Sequence, residues 1–313
     1  MFSIHEIFWA VFVVVFVAVF CIDMFVTDHR KEDIRLRTAL TWSGIWICTA
    51  LAFGAAVYFF YPEGNVRGFE FLASYLVEYS LSVDNLFVFI LIFNVMGIAH
   101  KHQPRILKWG IIGAVVMRII FIVVGVQLLQ KFQFVMYIFG VILVITAVKM
   151  LISKDQKIVP EKNLFVRLTS KVFKIKTDDH SGHFFVKNNG TRYATLALVT
   201  LVLVESTDLI FAVDSIPAVL SITRDSFVAI TSNLFAILGL RSLFFALSGV
   251  LQFFRFLKYG ISVILLFIGV KMLLAVFVHV PVQVSLLVIV GLLAVSILAS
   301  VIIKDKTPPT PSC

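Results

Sequence analysis

The sequence predicts an all-α polytopic membrane protein of about nine transmembrane helices, and three observations carry that prediction. Of 313 residues, 60% are hydrophobic and 14% charged, whereas soluble domains run near ~45–50% and ~25%. Mean hydropathy is +1.01. The apolar residues also gather into nine stretches, at 7–26, 39–60, 71–98, 106–128, 134–152, 194–221, 227–250, 256–277 and 281–303. Each is close to the ~20 residues that cross ~30 Å of hydrocarbon at ~1.5 Å per residue. A helix apolar on every side needs lipid or protein all round it. An ordinary soluble enzyme, a disordered chain and a secreted disulfide scaffold are therefore excluded. Cys21, Cys48 and Cys313 make no CxxC or Cys/His spacing, so no disulfide framework or zinc site is readable.

Taken in order, the first stretch has no small-residue cleavage site and carries Asp23, which marks a retained span rather than a signal peptide. Orientation follows from the basic residues. With the N-terminus outside, twenty of the 27 Lys and Arg fall in the inner loops 27–38, 99–108, 153–193 and 255–258 and in the C-terminal tail. The outer loops receive Arg67, Lys131 and Arg224. That bias predicts an N-out, C-in chain with cytoplasmic basic loops. The net charge of +9 is thus sided, which removes nucleic acid as a partner and leaves the lipid bilayer. Nothing in composition or spacing constrains the oligomeric state.

The one sizeable polar segment is 153–193. Leu164, Phe165, Leu168, Val172 and Phe173 alternate with Arg167, Lys171 and Lys174, which predicts an interfacial helix. Phe184–Val186, Asn188-Asn189-Gly190 and Arg192–Tyr193 suit a short hairpin. Asp178-Asp179-His180-Ser181-Gly182-His183 invites a metal-sensing reading. No helical or strand spacing fixes those ligands, so a solvated turn is the expectation.

The remaining spans repeat. Glu78-Tyr-Ser-Leu-Ser-Val-Asp84-Asn85 in the third span answers Asp208-Leu-Ile-Phe-Ala-Val-Asp214-Ser215 in the sixth. Gly113, Arg118 and Gly125 answer Gly239, Arg241 and Gly249, and Val148-Lys149-Met150-Leu151 answers Val270-Lys271-Met272-Leu273. Each unit holds three spans, so the second must be inverted relative to the first. The expected organisation is one membrane domain over 1–313. Repeat one covers about 71–152, the cytoplasmic loop about 153–193 and repeat two about 194–277. The helices 7–26, 39–60 and 281–303 are peripheral. Inverted repeats meeting around a midplane site are a common construction of secondary transporters.

The spans also hold charges that lipid disfavours: Asp23, Glu78, Asp84, Glu205, Asp208, Asp214, Arg118 and Arg241. A carboxylate at mid-membrane costs at least ~2.5–3.5 kcal/mol. Two Arg–carboxylate pairs could simply glue helices together, with Arg118 and Arg241 in that role of charge balance or gating. Five carboxylates on the two leading repeat helices then exceed the arginines, and a metal cation or protons must supply the difference. The expected metal ligands are Glu78, Asp84, Glu205, Asp208 and Asp214, with Asn85 and Ser215 as additional candidates. Asp23 is expected either to snorkel to the interface or to serve an ion pathway. Oxygen donors favour Mg²⁺, Ca²⁺ or Mn²⁺. Glu205 and Asp208 share a helix face, whereas Asp214 lies ~9 Å further along and about 120° round from Asp208. Convergence of all three requires a broken helix, for which Pro217 is the candidate.

These segments resemble the signature motifs of the TerC family of integral membrane proteins. The likeness extends to Thr231-Ser232-Asn233-Leu-Phe-Ala-Ile-Leu-Gly-Leu-Arg241 and to Lys258-Tyr259-Gly260 with Gly269-Val-Lys271-Met272. The overall plan, from about residue 20 to 303, looks like the alkali-inducible Alx-type branch. The resemblance implies a bacterial inner-membrane protein linked to Mn²⁺ efflux, with names tied to tellurium resistance, whose acidic pairs form the metal site. The expectation is a non-enzymatic divalent cation exporter, with Mn²⁺ as transported cation, no tightly bound cofactor and protons as the simplest exchange partner. An intramembrane aspartyl protease is disfavoured because no Gly-x-Gly-Asp occurs. The alternative is a non-transporting subunit that assists metal loading or assembly of envelope proteins through its basic loop.

Overall fold

The structure is a computed structural model that describes residues 3–26, 36–132, 134–152, 164–173, 175–176, 182–188, 191–248, 256–275, 277 and 280–302. Helix α1 (Ile4–Cys21) starts on a capping box between Ser3 and Glu6 and runs into a π-helical turn, Ile22–Val26. There follow α2 (Leu36–Phe60), α3 (Gly64–Val95), a 3-10 turn at His100–His102, α4 (Gln103–Lys131) and α5 (Val135–Ile152). The segment between the halves holds α6 (Leu164–Val172), β1 (Ile175–Lys176), β2 (Phe185–Asn188) and β3 (Thr191–Thr195). The second half comprises α7 (Leu196–Ile222), α8 (Ser226–Ile237), α9 (Leu240–Ser248), α10 (Leu257–Leu273) and α11 (Val282–Ile302).

The protein is an all-α polytopic membrane protein with one small sheet. Among the described residues seven helices are long and apolar enough to cross a bilayer, and α8 with α9 makes an eighth. The expected span 256–277 falls on α10, which with 17 residues is shorter than those helices. The stretch 227–250 was expected as one helix, and the described part is two, meeting at 41°. The cause is local. Gly239 has φ +82, and a Cβ there would run into the Trp46 ring, so the chain turns where only glycine fits. A break at Pro217 was expected too, yet α7 runs through it to Ile222.

Lipid offers no hydrogen bonds, so the backbone must satisfy itself within helices. Hydroxyls follow suit: Thr200, Thr207, Thr231 and Ser262 each donate to the carbonyl four residues back. Helix α3 is the centre of the bundle, packed by α2, α7, α8, α9 and α11. Helix α4 lies on α7 and α8, and α5 crosses α10. At that crossing a Cβ on Gly269 would stand 3.0 Å from the Gly140 carbonyl oxygen, and one on Gly140 would stand 3.1 Å from that of Gly269. The two backbones therefore touch where neither carries a side chain.

The bundle has two distinct ends. At one, the starts of α3, α5 and α11 and the ends of α4, α7 and α10 surround a cavity of about 720 Å³ that includes Arg67, Glu70, Arg224 and Lys271. At the other, the sheet docks on the start of α4. Strand β3 is central, antiparallel to β2 (Phe185↔Ala194 to Asn188↔Thr191) and parallel to β1. Arg105 contacts His183 Nδ1 at 3.1 Å and covers the Phe184 ring at 5.3 Å. A helix and an antiparallel strand pair thus occur where the residue pattern placed them. Asp178, Asp179, His180 and Ser181 lie outside the described residues.

Candidate functional site

The centre of the site is one arginine. Glu78, Arg118 and Asp208 each lie ~18–23 Å along their helices, near the middle of α3, α4 and α7. The Arg118 guanidinium makes an ion pair with Glu78 Oε1 through Nη1 and donates to Asp208 Oδ1 through Nη2 at 3.2 Å. Exposure is 1% for Arg118, 0% for Glu78 and 6% for Asp208. The bridge crosses the halves, because Glu78 and Arg118 belong to the first and Asp208 to the second. It is incomplete: Glu78 Oε2 and Asp208 Oδ2 are buried without a hydrogen-bond partner, and so is the Arg118 Nε donor. Buried polar atoms of this kind call for further partners, which water supplies to either and a cation to the oxygens.

Glu205 stands one turn before Asp208 on α7. Its carboxylate lies flat against Gly113 of α4, where a Cβ would overlap it. Glycine at 113 is what makes room for a carboxylate between two helices. Among the described residues Glu205 has no ion-pair partner. Asp214 looks another way, accepting from Thr146 Oγ1 of α5 at 2.7 Å. Because α7 is unbroken, Asp208 and Asp214 stay ~9 Å apart along the axis. Consistently, no group of three His, Cys, Asp or Glu side chains is close enough to hold a metal ion among the described residues.

Of the additional candidates, Asn85 Nδ2 and Ser215 Oγ are buried without hydrogen-bond partners. Asp84 is on α3 by its backbone, and its side chain lies outside the described residues. Asp23 is 2% exposed and accepts from Trp46 Nε1 at 3.1 Å. It does not snorkel, because the π-helical turn carries it inward, where Arg241 acts on it electrostatically. Arg241 thus has a neighbouring acid on the first helix, outside both repeats.

Gly113, Thr146 and Trp46 are the partners that residue reasoning missed; Gly113 had been noticed only as a repeat marker. A second group went unseen at the cavity end. Arg67 bonds Glu63 at 3.0 Å and Glu70 at 2.9 Å, with Asp225 at 3.8 Å. Thr223 Oγ1 donates to Glu70 at 2.7 Å. Tyr61 donates to Asp225 at 3.5 Å, and burial together with that carboxylate's charge holds its phenol above the ordinary range, hence protonated. Glu70 lies one residue before the third apolar stretch, where polar residues are ordinary. Its spacing of eight from Glu78 was the available signal.

The sequence profile of the Integral membrane protein TerC family matches residues 63–308. The chain belongs to the TerC family. A Myxococcus xanthus relative named "Uncharacterized membrane protein STKORF319" is 43% identical over 303 residues, covering 96% of this chain and 94% of that one. "Putative membrane-bound redox modulator Alx" of Escherichia coli K12 is 41% identical over 296 residues, covering 92% of each chain. The protein of the same name from Salmonella typhi is 41% identical over 297 residues, again 92% of each. These relatives agree with the Alx-type likeness within the TerC family. No solved structure matches the chain.

Proposed function

We propose that this TerC family protein exports a divalent metal cation, Mn²⁺ foremost, across the inner membrane in exchange for protons. The observation that carries the reading is the bridge of Glu78, Arg118 and Asp208, with two buried carboxylate oxygens left unpartnered and Glu205 one turn away. A helix-gluing role alone would favour a closed set of hydrogen bonds, since each orphan acceptor costs ~1–3 kcal/mol. The donors are oxygens throughout, which suits a hard cation. Asp84, Asp214, Asn85 and Ser215 extend the same set along α3 and α7.

Helix pairing supports the inverted repeat. Exchanging the units α3-α4-α5 and α7-α8/α9-α10 turns the α3·α8 contact into α7·α4 and maps α5·α10 onto itself. Two units related in this way meet at α3, α4 and α7, where the charges are. The positive-inside rule puts the Arg105 end in the cytoplasm and the cavity end outside. A divalent cation leaving against an inside-negative potential needs ~2.3 kcal/mol per charge per 100 mV. Protons flowing inward supply that coupling in this reading.

Purified protein in proteoliposomes containing a pH dye, challenged with Mn²⁺, Ca²⁺ and Mg²⁺ in turn, tests the proposal. Mn²⁺ movement with opposite proton movement is expected. Rates equal to protein-free liposomes for all three ions would overturn it. In the same assay Gly113→Ala should slow Mn²⁺ movement, because its Cβ displaces the Glu205 carboxylate. It should also destabilise the fold by about 1–3 kcal/mol. Gly110→Ala, whose Cβ would stand 3.3 Å from a Val204 methyl, should be milder on transport.

A further inference from the structure

Helix α3 carries polar side chains at a regular four-residue step. Glu70, Ser74, Glu78 and Ser82 follow one another, with Asn85 three residues on. At ~100° and ~1.5 Å per residue they fall within about 120° of one another over ~22 Å. All are deeply buried, at 9%, 0%, 0%, 1% and 5% exposure. In an apolar bundle that is costly unless each finds a partner.

The two serines have none. Ser74 Oγ and Ser82 Oγ are buried without a hydrogen bond, as is Asn85 Nδ2. Their neighbour Ser80 shows the alternative, since its hydroxyl donates to the Leu76 carbonyl at 2.6 Å. Several hydroxyls elsewhere in the bundle do the same. Ser74 and Ser82 lack this self-satisfaction, so their hydroxyls are available to something else. Other orphans stand on the helices that pack α3: Ser43 on α2, Asp208 Oδ2 and Ser215 on α7, and Asn233 on α8. Unpartnered buried donors and acceptors of this kind are where ordered water belongs.

The series also begins at an opening. Glu70 lines the cavity of about 720 Å³, one helical turn before Ser74, and Glu78 is a further turn inward. We infer that this face of α3 holds a file of water molecules running inward from the outer cavity and past the Glu78–Arg118–Asp208 bridge, with Ser74 before the bridge and Ser82 one turn beyond it as hydrogen-bonding stations. Arg67, Arg224 and Lys271 line the mouth together with Glu70, and Glu63 and Asp225 also lie against Arg67. The inference rests on the exporter reading only for what the path serves.

Thiol accessibility tests it, because a thiol reacts as thiolate and thiolate forms where water reaches. Cys21, Cys48 and Cys313 are first replaced by Ser. Ser74→Cys and Ser82→Cys then report on the path. Ala73→Cys and Val83→Cys, equally deep on α3 and buried at 0% and 6%, stand on another face. Each monodisperse variant is placed in lipid nanodiscs and treated with a small methanethiosulfonate. Modification at both serine positions at least about tenfold faster than at the adjacent control is expected. A rate at either serine position no greater than that of its neighbour overturns the path. The labelling needs no transport. Fast labelling without divalent movement would keep the path and remove the exporter reading, and the converse result would do the reverse.

Discussion

Replacing Arg118 with methionine is expected to lower stability by about 3–5 kcal/mol, the penalty for stranding a buried charge without its partner. The substitution leaves Glu78 and Asp208, at 0% and 6% exposure, with their shared cation gone. Methionine matches the arginine stem in reach, so volume is nearly conserved and the effect reports charge. Thermal unfolding in mild detergent would show it as a large fall in midpoint. The triple variant Arg118→Met with Glu78→Gln and Asp208→Asn should recover most of that loss, since neutral groups no longer need the guanidinium. It should still move no Mn²⁺. Recovery of folding together with transport would reduce the bridge to helix glue and sink its assignment as the cation site.

Asp214→Asn is expected to reduce Mn²⁺ efflux from loaded vesicles by at least about 100-fold, the equivalent of ~3 kcal/mol. The side chain is half-buried, and its hydrogen bond from Thr146 survives in the amide, whose carbonyl still accepts. Folding should therefore be nearly unaffected, and the loss would belong to the negative charge. Thr146→Val removes the donor but keeps the charge, so a milder reduction is expected. Undiminished efflux in Asp214→Asn would remove Asp214 from the transport path. Asp84→Asn, its repeat counterpart, is expected to match it.

These two residues illustrate why part of the site was legible beforehand. A carboxylate within an apolar stretch is conspicuous in a linear sequence because lipid should exclude it. Six such acids and two arginines could be named without coordinates. Their partners could not, because Gly113, Thr146 and Trp46 are ordinary residues of apolar helices. Their roles arise only when another helix brings a carboxylate against them. Glu70 shows a second limit. It sits at the rim of a span, where polar residues are expected, and only burial against Thr223 and Arg67 distinguishes it. Pro217 shows a third, since a local rule predicted a break and α7 remained helical.

The sequence by itself determined the class of the molecule and the candidate charges, with the helix-and-hairpin character of the segment between its halves. Those features depend on hydropathy, spacing and turn chemistry, which act along the chain. Tertiary structure alone decided that one arginine serves acids from two halves and that Asp23 is turned inward beside Arg241. It also directed Asp208 and Asp214 to different neighbours and left the Ser74 and Ser82 hydroxyls unpartnered. The physical reason is that pairing inside a bundle depends on which helix faces approach. In lipid, where helices share no water-driven collapse, that approach is set by close packing and by the few polar contacts themselves.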